Sequence, residues 1–539
     1  MKVHAALAAA LADQGVTAMF GLVGDGNVYL VDNFTADEGG RYVAAAHEAG
    51  SVLMAAGYAL ARRQVGVATV TQGPGLANAT GTLYSAVRER APIVVIVADT
   101  ATVRRGHAQN GDQAAMVRPT GAIFDQVLSA QTAPDDLARA LRTAWLERCP
   151  VVFNASADFL YEEIDYARGP RAEIPASQAV APDPAAMDVA VGVMASASRP
   201  IVLGGLGASW SQAAEPLARL ARALGAPLAT TLPAKGLFAG DPYDLGVFGS
   251  FATQRAVEAI TAADCIVAVG ASLNEYTGGA PDSPYFRNKL IVQCDTDLGA
   301  LGRWTGIDAG VVADAAAFAD LAVSWFAAAE HVPSGFHQAY PTGRWEEPAS
   351  RRSSRSGEFV DLDAAMDALN TALPADRSVV ADGGRFMSAP VKRLDVPRPE
   401  QWSFPGRAFG AIGNALATAI GLACARPETP TVAVVGDGGF MLGGLTEFNT
   451  AVRNGVDLIT VVCNDGAYGA ERDNLQGRGH GVGLSLIPWP DLAPVADALG
   501  GSGFTVRTAA DLQHMAKVIA ERHAPLLIDV KLDPAATVG

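Results

Sequence analysis

The stretch "VAVVGDGGFMLGGLTEFNTAVRNGVDLITVVCND", residues 432–465, joins two strand-like runs through a glycine-rich turn and a helical segment. Both runs are short, β-branched and uncharged, which is typical of strands buried on both faces of a parallel sheet. The first run is followed by Asp437 and the second by Asn464. Because α/β proteins bind ligands at the carboxyl edge of the sheet, we expect these two residues to flank a ligand site.

These two residues supply oxygen ligands of the kind that hard cations prefer. A carboxylate, an amide oxygen and a nearby backbone carbonyl suit Mg²⁺ or Ca²⁺, and Mg²⁺ usually keeps waters and phosphate oxygens as its other ligands. Helix N-termini near the turn would favour the phosphates, and the glycines let a ligand approach the backbone closely. The pattern therefore predicts a site for a metal ion and a diphosphate.

The rest of the chain alternates strand-like apolar runs with Ala- and Leu-rich helical stretches, which predicts an α/β fold. Two Pro-rich stretches without periodicity interrupt the alternation, and we interpret residues 166–183 and 331–355 as linkers. The remaining segments, 1–165, 184–330 and 356–539, are each long enough for a domain. We expect three doubly wound parallel-sheet domains.

Composition excludes several classes of protein. The 539 residues are 50% hydrophobic and 18% charged, with a formal net charge of −16, which argues against nucleic acid or an anionic membrane as the main partner. The five cysteines are scattered and form no Cys-x-x-Cys pair, as expected in a reducing compartment. No uncharged apolar run approaches the length of a membrane span. We expect a cytoplasmic globular enzyme.

The Gly-Asp-Gly turn followed by Asn on the next strand resembles the signature of thiamin diphosphate (ThDP) enzymes. This family includes acetolactate synthase, pyruvate decarboxylase and benzaldehyde lyase. The resemblance implies that Asp437, Asn464 and the backbone carbonyl of Gly466 hold Mg²⁺ against the diphosphate. It also implies cofactor contacts at Gly436, Gly438, Gly439, Ala467 and Tyr468. The family usually has Asn-Asn where this chain has Asn464-Asp465, a mild departure because the first Asn is the ligand.

A second match lies near the N-terminus, where "HEAGSV" follows a strand-like run and "GPG" comes later. This resembles the pyrimidine-binding domain of the same family and implies that Glu48 shares a proton with the cofactor's pyrimidine. A buried glutamate with a raised pKa can do this. The resemblance also implies cofactor contacts at Gly73 and Asn78. Alone, Glu48 would be a glutamate favoured by a helix dipole. Ser51 excludes the zinc motif His-Glu-x-x-His.

A third match, "GRAFGAIGNALATAIGLA" at 406–423, resembles the family's entry to the diphosphate-binding domain. The resemblance implies that Ile412 supports the bent cofactor and that Gly410 faces its pyrimidine; alone, Ile412 would be an ordinary core residue. The matches span essentially the whole chain and imply pyrimidine-binding, central and diphosphate-binding domains. In this family the cofactor lies between two subunits, so a homodimer or homotetramer with shared active sites is expected.

The reaction is less well defined by the sequence. Pyruvate decarboxylases carry a His-His pair in the first domain, whereas this chain has a single His107. Gln109 matches a glutamine of acetolactate synthases and benzaldehyde lyases and could bind a substrate carboxylate or carbinol. Residues 467–485 are expected to form a mobile loop over the substrate. Further candidates for substrate contact, proton transfer or carboxylate binding are Asp25, Asn27, Glu471, Arg472 and His480.

Acetolactate synthases also bind FAD, through motifs that contain a His and Arg residues. The corresponding segments of this chain, 246–250 and 271–279, lack that His and those Arg residues, so FAD is not expected. A Trp typical of acetolactate synthases after the metal Asn is also missing. Our main expectation is a carboligase resembling acetolactate synthase, acting on 2-oxo acids. The alternatives are a non-oxidative 2-oxo acid decarboxylase or a benzoin-type aldehyde lyase. A catalytically silent binding subunit is a rival of another class, disfavoured by the intact Glu48, Asp437 and Asn464.

Overall fold

The computed structural model describes residues 1–104, 106–169, 179–278, 283–341 and 359–536. Three six-stranded parallel sheets with interleaved helices make up these residues, so the predicted fold class is confirmed. The chain divides into two compact units. One unit comprises residues 1–175, 352–387 and 403–538, and the other comprises mainly residues 176–351 and 388–402.

The first sheet has the strand order β2-β1-β3-β4-β6-β5. Its strands are β1 (Ala18–Gly21), β2 (Arg41–Ala44), β3 (Gly66–Val70), β4 (Ile93–Asp99), β5 (Ile123–Gln126) and β6 (Val151–Ser156). Its helices are α1 (Val3–Asp13), α2 (Val28–Ala36), α3 (Glu48–Arg62), α4 (Pro74–Arg88), α5 (Gln113–Val117), α6 (Ala133–Glu147) and α7 (Ala157–Leu160), with a 3₁₀ turn at Arg118–Thr120.

The second sheet has the order β12-β11-β10-β7-β8-β9 and belongs to the second unit. Its strands are β7 (Pro200–Gly204), β8 (Leu228–Thr230), β9 (Asp244–Val247), β10 (Cys265–Val269), β11 (Leu290–Asp295) and β12 (Ala309–Val312). Its helices are α8 (Pro184–Ser196), α9 (Leu206–Trp210), α10 (Ala214–Leu224), α11 (Gln254–Ala262), α12 (Glu275–Gly278) and α13 (Ala315–Ala328). Short 3₁₀ turns lie at Leu232–Ala234, Leu298–Ala300 and Phe336–Ala339.

The third sheet has the order β14-β13-β15-β16-β18-β17. Its strands are β13 (Ser378–Ala381), β14 (Trp402–Ser403), β15 (Thr431–Gly436), β16 (Leu458–Asn464), β17 (Ser502–Val506) and β18 (Leu526–Lys531). The helices are α14 (Leu362–Ala372), α15 (Ser388–Arg393), α16 (Gly406–Phe409), α17 (Ala415–Ala425), α18 (Asp437–Gly439), α19 (Leu445–Arg453), α20 (Gly469–Gly477), α21 (Ala493–Ala498) and α22 (Ala509–Ala520). A π-helical turn lies at Phe440–Gly444, and 3₁₀ turns lie at Pro399–Gln401 and Gly483–Ser485. Of these elements, α15 and the turn at Pro399–Gln401 belong to the second unit.

Helices α3 and α17 join the first and third sheets into one unit with a shared apolar core. Their backbones approach closely at two glycines, since a Cβ on Gly57 would overlap the Thr418 carbonyl and one on Gly421 would overlap the Met54 carbonyl. Only glycine allows so close an approach. The packing fixes α3, and with it Glu48 at its first position, against the half of the unit that contains Asp437.

The predicted domain boundaries remain predictions, because half of the first linker, 170–178, and most of the second, 342–355, lie outside the described residues. The described linker ends are hydrogen-bonded to their flanking segments: Tyr166 to Asp13, and Ser334 N to Leu224 O at 3.0 Å. Among the residues that the structure describes, no helix is long and apolar enough to cross a bilayer.

Candidate cofactor site

The structure brings Asp437 and Asn464 together at the carboxyl edge of the third sheet. β15 and β16 are parallel neighbours, and their register pairs Gly436 with Cys463, the residues just before Asp437 and Asn464. Both side chains are buried, with 3% and 6% of their surfaces exposed. Gly438 packs against the Tyr468 ring, since a Cβ on Gly438 would lie 2.5 Å from Tyr468 Cε1.

The Asp437 carboxylate fits a cation site. It accepts hydrogen bonds from Gly438 N at 2.7 Å and from Ala467 N at 3.3 Å. Burial, and after it the nearby Asp465, raises the pKa of Asp437 to about 7. A bound divalent cation would offset both effects, because opposite charge favours the ionised carboxylate.

The donor set has only one carboxylate. Within the described ranges, no three or more His, Cys, Asp and Glu side chains are grouped so as to hold a metal ion. The predicted set combines the Asp437 carboxylate with amide and backbone oxygens, a composition that suits Mg²⁺ with phosphate and water as further ligands. The residues present therefore fit Mg²⁺ and a diphosphate.

The Gly466 carbonyl already has one hydrogen-bond partner. Residues 466–468 pair with residues 485–487: Ile487 N donates to Gly466 O at 2.7 Å, and Tyr468 N donates to Ser485 O at 2.8 Å. Ala467 and Leu486 form an antiparallel bridge between the two segments. A carbonyl oxygen has two lone pairs, so one remains for a cation, and the role of Gly466 as a metal ligand stays a prediction.

Residues 467–485, expected to be an irregular mobile loop, are largely helical. Helix α20 spans Gly469–Gly477, and the segment continues to the 3₁₀ turn at Gly483–Ser485. The stretch Ala-Glu-Arg-Asp-Asn-Leu-Gln contains several good helix formers, which explains the difference. Arg472 is buried, at 8% exposed, and contacts Asp473 at 3.3 Å. His480 and Glu471 are exposed.

Arg385 is the charged partner of Asp465, the residue that follows Asn464. Its guanidinium contacts Asp465 at 2.5 Å and Asp473 at 3.5 Å, and it donates to the Ala536 carbonyl at 2.7 Å. Burial raises the pKa of Asp465, and Arg385 opposes that shift. Sequence reasoning missed Arg385 because its partners are distant along the chain.

The glycine-rich turn around Ile412 is held by Asp382, a second residue that sequence reasoning missed. Asp382 follows β13, is fully buried, and accepts hydrogen bonds from Gly413 N at 2.6 Å and Gly383 N at 3.0 Å. Burial raises its pKa to about 7. Ile412 is half-buried, whereas Gly410 has a left-handed φ of 75° and open space where a Cβ would lie. This open position is compatible with a ligand surface.

Glu48 is the first residue of α3. Its Oε2 accepts a hydrogen bond from Asn78 Nδ2 at 3.0 Å, and the His47 ring caps the helix by accepting from Ala49 N at 3.1 Å. A Cβ on Gly75 would lie 3.6 Å from Glu48 Oε1. The structure thus brings Glu48 together with Asn78 and the Gly-Pro-Gly turn.

Glu447 on α19 holds the backbone just before Glu48. Its carboxylate accepts from Ala46 N at 3.2 Å and His47 N at 3.1 Å, and the residue is only 1% exposed. A Cβ on Gly50 would overlap this carboxylate. Burial raises the pKa of Glu447, and its hydrogen bonds oppose that shift. Sequence reasoning missed this contact, which joins residues roughly 400 positions apart in the chain.

Gln109 and His107 lie on the loop after β4, beside the Gly-Pro-Gly turn. Gln72 Nε2 donates to Gln109 Oε1 at 2.9 Å, and Gln109 N donates to His107 Nδ1 at 3.3 Å. The Gln109 backbone packs against Gly73, whose φ is 62° and whose N–H donates to Gln113 Oε1 at 2.9 Å. Amide side chains therefore dominate this edge of the first sheet.

Asn27, a candidate catalytic residue, is buried in the loop after β1. It is 2% exposed, accepts from Gly24 N at 2.7 Å, and donates to Leu22 O and Thr69 Oγ1, both at 3.1 Å. These contacts use both ends of the amide, so Asn27 holds the loop after β1. A catalytic role for Asn27 stays a prediction. Asp25, two residues earlier, is exposed.

Residues 246–250 and 271–278 lie in the second unit. Gly279, the last residue of 271–279, is outside the described residues. The expectation that FAD is not bound stays a prediction.

Comparison with known proteins identifies the family. Models of the thiamine pyrophosphate enzyme N-terminal TPP binding domain, central domain and C-terminal TPP binding domain match residues 1–116, 187–321 and 382–530. The chain is 28% identical to sulfoacetaldehyde acetyltransferase of Alcaligenes xylosoxydans xylosoxydans, over 92% of this chain and 87% of that protein. It is 27% identical to a putative acetolactate synthase large subunit of Mycobacterium tuberculosis, over 99% and 98% of the two chains.

A probable 2-ketoarginine decarboxylase of Pseudomonas aeruginosa is 28% identical over 95% of this chain and 90% of that protein. Among solved structures, the ThDP-dependent 4-hydroxybenzoylformate decarboxylase of Rhodococcus jostii has the same fold. Its TM-score is 0.84 at 22% identity, over 99% of both chains. Thiamine pyrophosphate is another name for ThDP, and the three domain models together match well over half of the sequence. The chain is a ThDP-dependent enzyme and belongs to the thiamine pyrophosphate enzyme family.

Proposed function

We propose that this enzyme uses Mg²⁺ and ThDP to join the acyl fragment of a 2-oxo acid to a second carbonyl compound, as acetolactate synthases do. When bound, the cofactor supplies the carbon nucleophile that attacks the 2-oxo acid and allows CO₂ to leave. The Asp437 carboxylate, the Asn464 amide oxygen and the Gly466 carbonyl would hold Mg²⁺ against its diphosphate. Glu48, oriented by Asn78, would exchange a proton with the pyrimidine ring. These sites would be shared between the subunits of a homodimer or homotetramer.

The observation that carries carboligation is the set of amides at the edge of the first sheet. Gln72 and Gln109 are hydrogen-bonded to each other beside Gly73, next to the turn that approaches Glu48. An amide can orient a carboxylate or carbinol oxygen, but it cannot donate a proton near neutral pH as a histidine can. Slow protonation favours transfer to a second carbonyl over release of a simple aldehyde. Names of the related proteins, which include an acetolactate synthase and an acetyltransferase, agree with this choice.

The second candidate is a non-oxidative 2-oxo acid decarboxylase, favoured by a single histidine on the same loop. His107 accepts on Nδ1 from Gln109 N, so its Nε2 can carry the proton. If Nε2 reaches the substrate, aldehyde release becomes competitive. The relative named as a probable 2-ketoarginine decarboxylase belongs with this candidate.

One product analysis separates the two candidates. Enzyme loaded with Mg²⁺ and ThDP is incubated with a panel of 2-oxo acids, each with and without an aldehyde or 2-oxo acid acceptor. CO₂, free aldehyde and 2-hydroxy ketone are measured separately. Carboligation predicts more 2-hydroxy ketone than aldehyde when an acceptor is present. Mainly free aldehyde under those conditions would replace this proposal with the decarboxylase.

A further inference from the structure

Asp529 is a fully buried carboxylate in the middle of an apolar strand. It lies in β18, between β16 and β17, in the run "LLIDVK", every residue of which is buried. A carboxylate in such a position is costly unless charge and hydrogen bonds compensate it. Its partners therefore indicate why it is there.

Three groups compensate Asp529. Its Oδ1 accepts from Asn464 Nδ2 at 2.8 Å, and its Oδ2 accepts from Leu492 N at 2.9 Å. Lys531 Nζ lies 2.6 Å from Oδ2 and 3.1 Å from the half-exposed Asp491. The parallel register of β16 and β18 pairs Asp529 with Val462, two residues before Asn464, so the side chains of Asp529 and Asn464 lie on the same face of the sheet.

The contact with Asp529 decides which way the Asn464 amide points. A carboxylate accepts hydrogen bonds only, whereas an amide has one donor end and one acceptor end. The NH₂ end must therefore face Asp529, since a flipped amide would place two oxygens against each other. The oxygen end then faces the opposite way, where Gly466 N donates to it at 3.3 Å, on the loop whose Ala467 N binds Asp437.

We propose that Asp529 is a positioning residue of the metal site, which holds the Asn464 amide with its oxygen directed at the cation. This inference rests on the proposed Mg²⁺ role of Asn464. Partners in the outer shell of a metal site fix the orientation of the ligands, and their loss typically weakens metal affinity ~10–100-fold. In this role Asp529 affects the metal through Asn464 and would not itself be a ligand.

The test measures binding and needs no turnover. Apoenzyme with a constant ThDP concentration is titrated with Mg²⁺, and binding is followed by calorimetry and by tryptophan fluorescence. In Asp529→Asn, one oxygen must still accept from Leu492 N, so the new NH₂ group faces Asn464 and favours the flipped amide. We expect an apparent Mg²⁺ dissociation constant ~10–100-fold higher than wild type. The matched control is Asp491→Asn, which removes the other carboxylate beside Lys531 and should bind Mg²⁺ as wild type does.

A double-mutant cycle distinguishes positioning from general structural support. Asp529→Asn should add nothing to the weakening caused by Asn464→Ala, because the two residues act as one unit. The swapped pair, Asn464→Asp with Asp529→Asn, restores an oxygen toward the metal and an NH₂ group between the two side chains. It should recover Mg²⁺ affinity to within a few-fold of wild type.

Three results would overturn the inference: wild-type Mg²⁺ affinity in Asp529→Asn, full additivity with Asn464→Ala, or no recovery in the swapped pair. The swapped pair conserves the number of hydrogen-bond donors and acceptors, so it can still be tested for Mg²⁺ binding if Asp529→Asn alone does not fold. Unchanged Mg²⁺ binding in Asn464→Ala would instead show that the proposed metal site itself is wrong.

Discussion

The side chains proposed to bind the cofactor are held differently at the carboxyl edges of the first and third sheets. At the third sheet Asp437, Asn464 and Asp529 are at most 6% exposed, and all accept or donate hydrogen bonds inside the protein. At the first sheet Glu48 is half-buried, and its partner Asn78 is exposed. Glu48 and Asn78 are therefore freer to adjust than the three side chains at the third sheet, which are fixed before any ligand arrives.

The difference follows from what each edge is proposed to bind. A metal ion and a diphosphate are the same in every turnover, so a rigid, buried set of donors suits them and lowers the reorganisation needed on binding. Substrates and protons come and go, and a partly exposed edge allows this. Changes at the third sheet should therefore affect binding most, and changes at the first sheet should affect rates and products.

The largest effect is expected at Asp437. Asp437→Ala removes the only carboxylate of the donor set and leaves the diphosphate with too little positive charge, so tight ThDP binding should be lost. Isothermal calorimetry of apoenzyme with ThDP and excess Mg²⁺ measures it. Asp465→Asn gives the Asn-Asn pair usual in the family and should still bind ThDP. Unchanged ThDP affinity in Asp437→Ala would contradict the proposed metal site at the third sheet.

Glu48→Gln should have the opposite effect to Asp437→Ala: ThDP binding should be largely kept, and activation of the bound cofactor should be slower. Loss of a proton-transfer partner typically costs ~10²–10⁴-fold in rate. Hydrogen–deuterium exchange at the thiazolium carbon of bound ThDP, measured by NMR after acid quench, gives the rate directly. Asn78→Ala, which removes only the neighbour of Glu48, should have a smaller effect on the same rate. Wild-type exchange in Glu48→Gln would eliminate Glu48 as the activating group.

Sequence reasoning reached the residues whose partners are close in the chain. Asp437 and Asn464 follow consecutive strands, so the strand pattern alone predicts that they meet. Asp382, Glu447 and Asp529 were missed because each acts on a residue that only the tertiary fold brings near. The one signal for Asp529 is a carboxylate inside an apolar strand, which indicates a buried partner without naming it.

Glu447 tests how the two edges are connected. Glu447→Gln leaves one of the two N–H groups before Glu48 without an acceptor, at a cost of about 1–3 kcal/mol. We expect a lower midpoint of thermal unfolding and slower thiazolium exchange, with the Mg²⁺ titration unchanged. Glu428→Gln, at an exposed position on the same half of the unit, is the control. A lower midpoint with unchanged exchange would reduce Glu447 to a packing role.

Glu89, at the end of α4, gives a pH test of the same junction. It is 5% exposed, and burial raises its pKa from 4.5 to about 7, with Arg407 opposing the shift. The folded state thus binds this proton more tightly than the unfolded state, so stability should fall as pH rises from about 4.5 to 7. Relative to Glu89→Gln, the free energy of unfolding of wild type should fall by about 2–3 kcal/mol across that pH range.

Urea unfolding of wild type and Glu89→Gln at pH 5 and pH 8 measures this difference. Glu521→Gln, whose side chain is 66% exposed, is the control and should follow wild type at both values. A constant difference between wild type and Glu89→Gln at the two pH values would show that Glu89 is already ionised in the folded protein at pH 5.

The smallest effect is expected on the product ratio, for changes at the carboxyl edge of the first sheet. His107→Ala removes the one histidine of the loop that contacts Gln109, whereas Gln109→Ala removes the amide paired with Gln72. If transfer to a second carbonyl is the normal outcome, His107→Ala should change the ratio of 2-hydroxy ketone to aldehyde by less than about threefold, since protonation does not depend on it. Gln109→Ala should raise KM for the substrate and lower the ratio, because the oriented carboxylate or carbinol loses its partner. Product ratios at saturating donor and acceptor measure both variants.

The opposite result would be that His107→Ala abolishes aldehyde release and sharply raises the share of 2-hydroxy ketone. His107 would then be a proton donor, and the enzyme would be a decarboxylase. The residues proposed to bind substrate at the first sheet would in that case be as specifically arranged as those proposed to bind the metal at the third sheet.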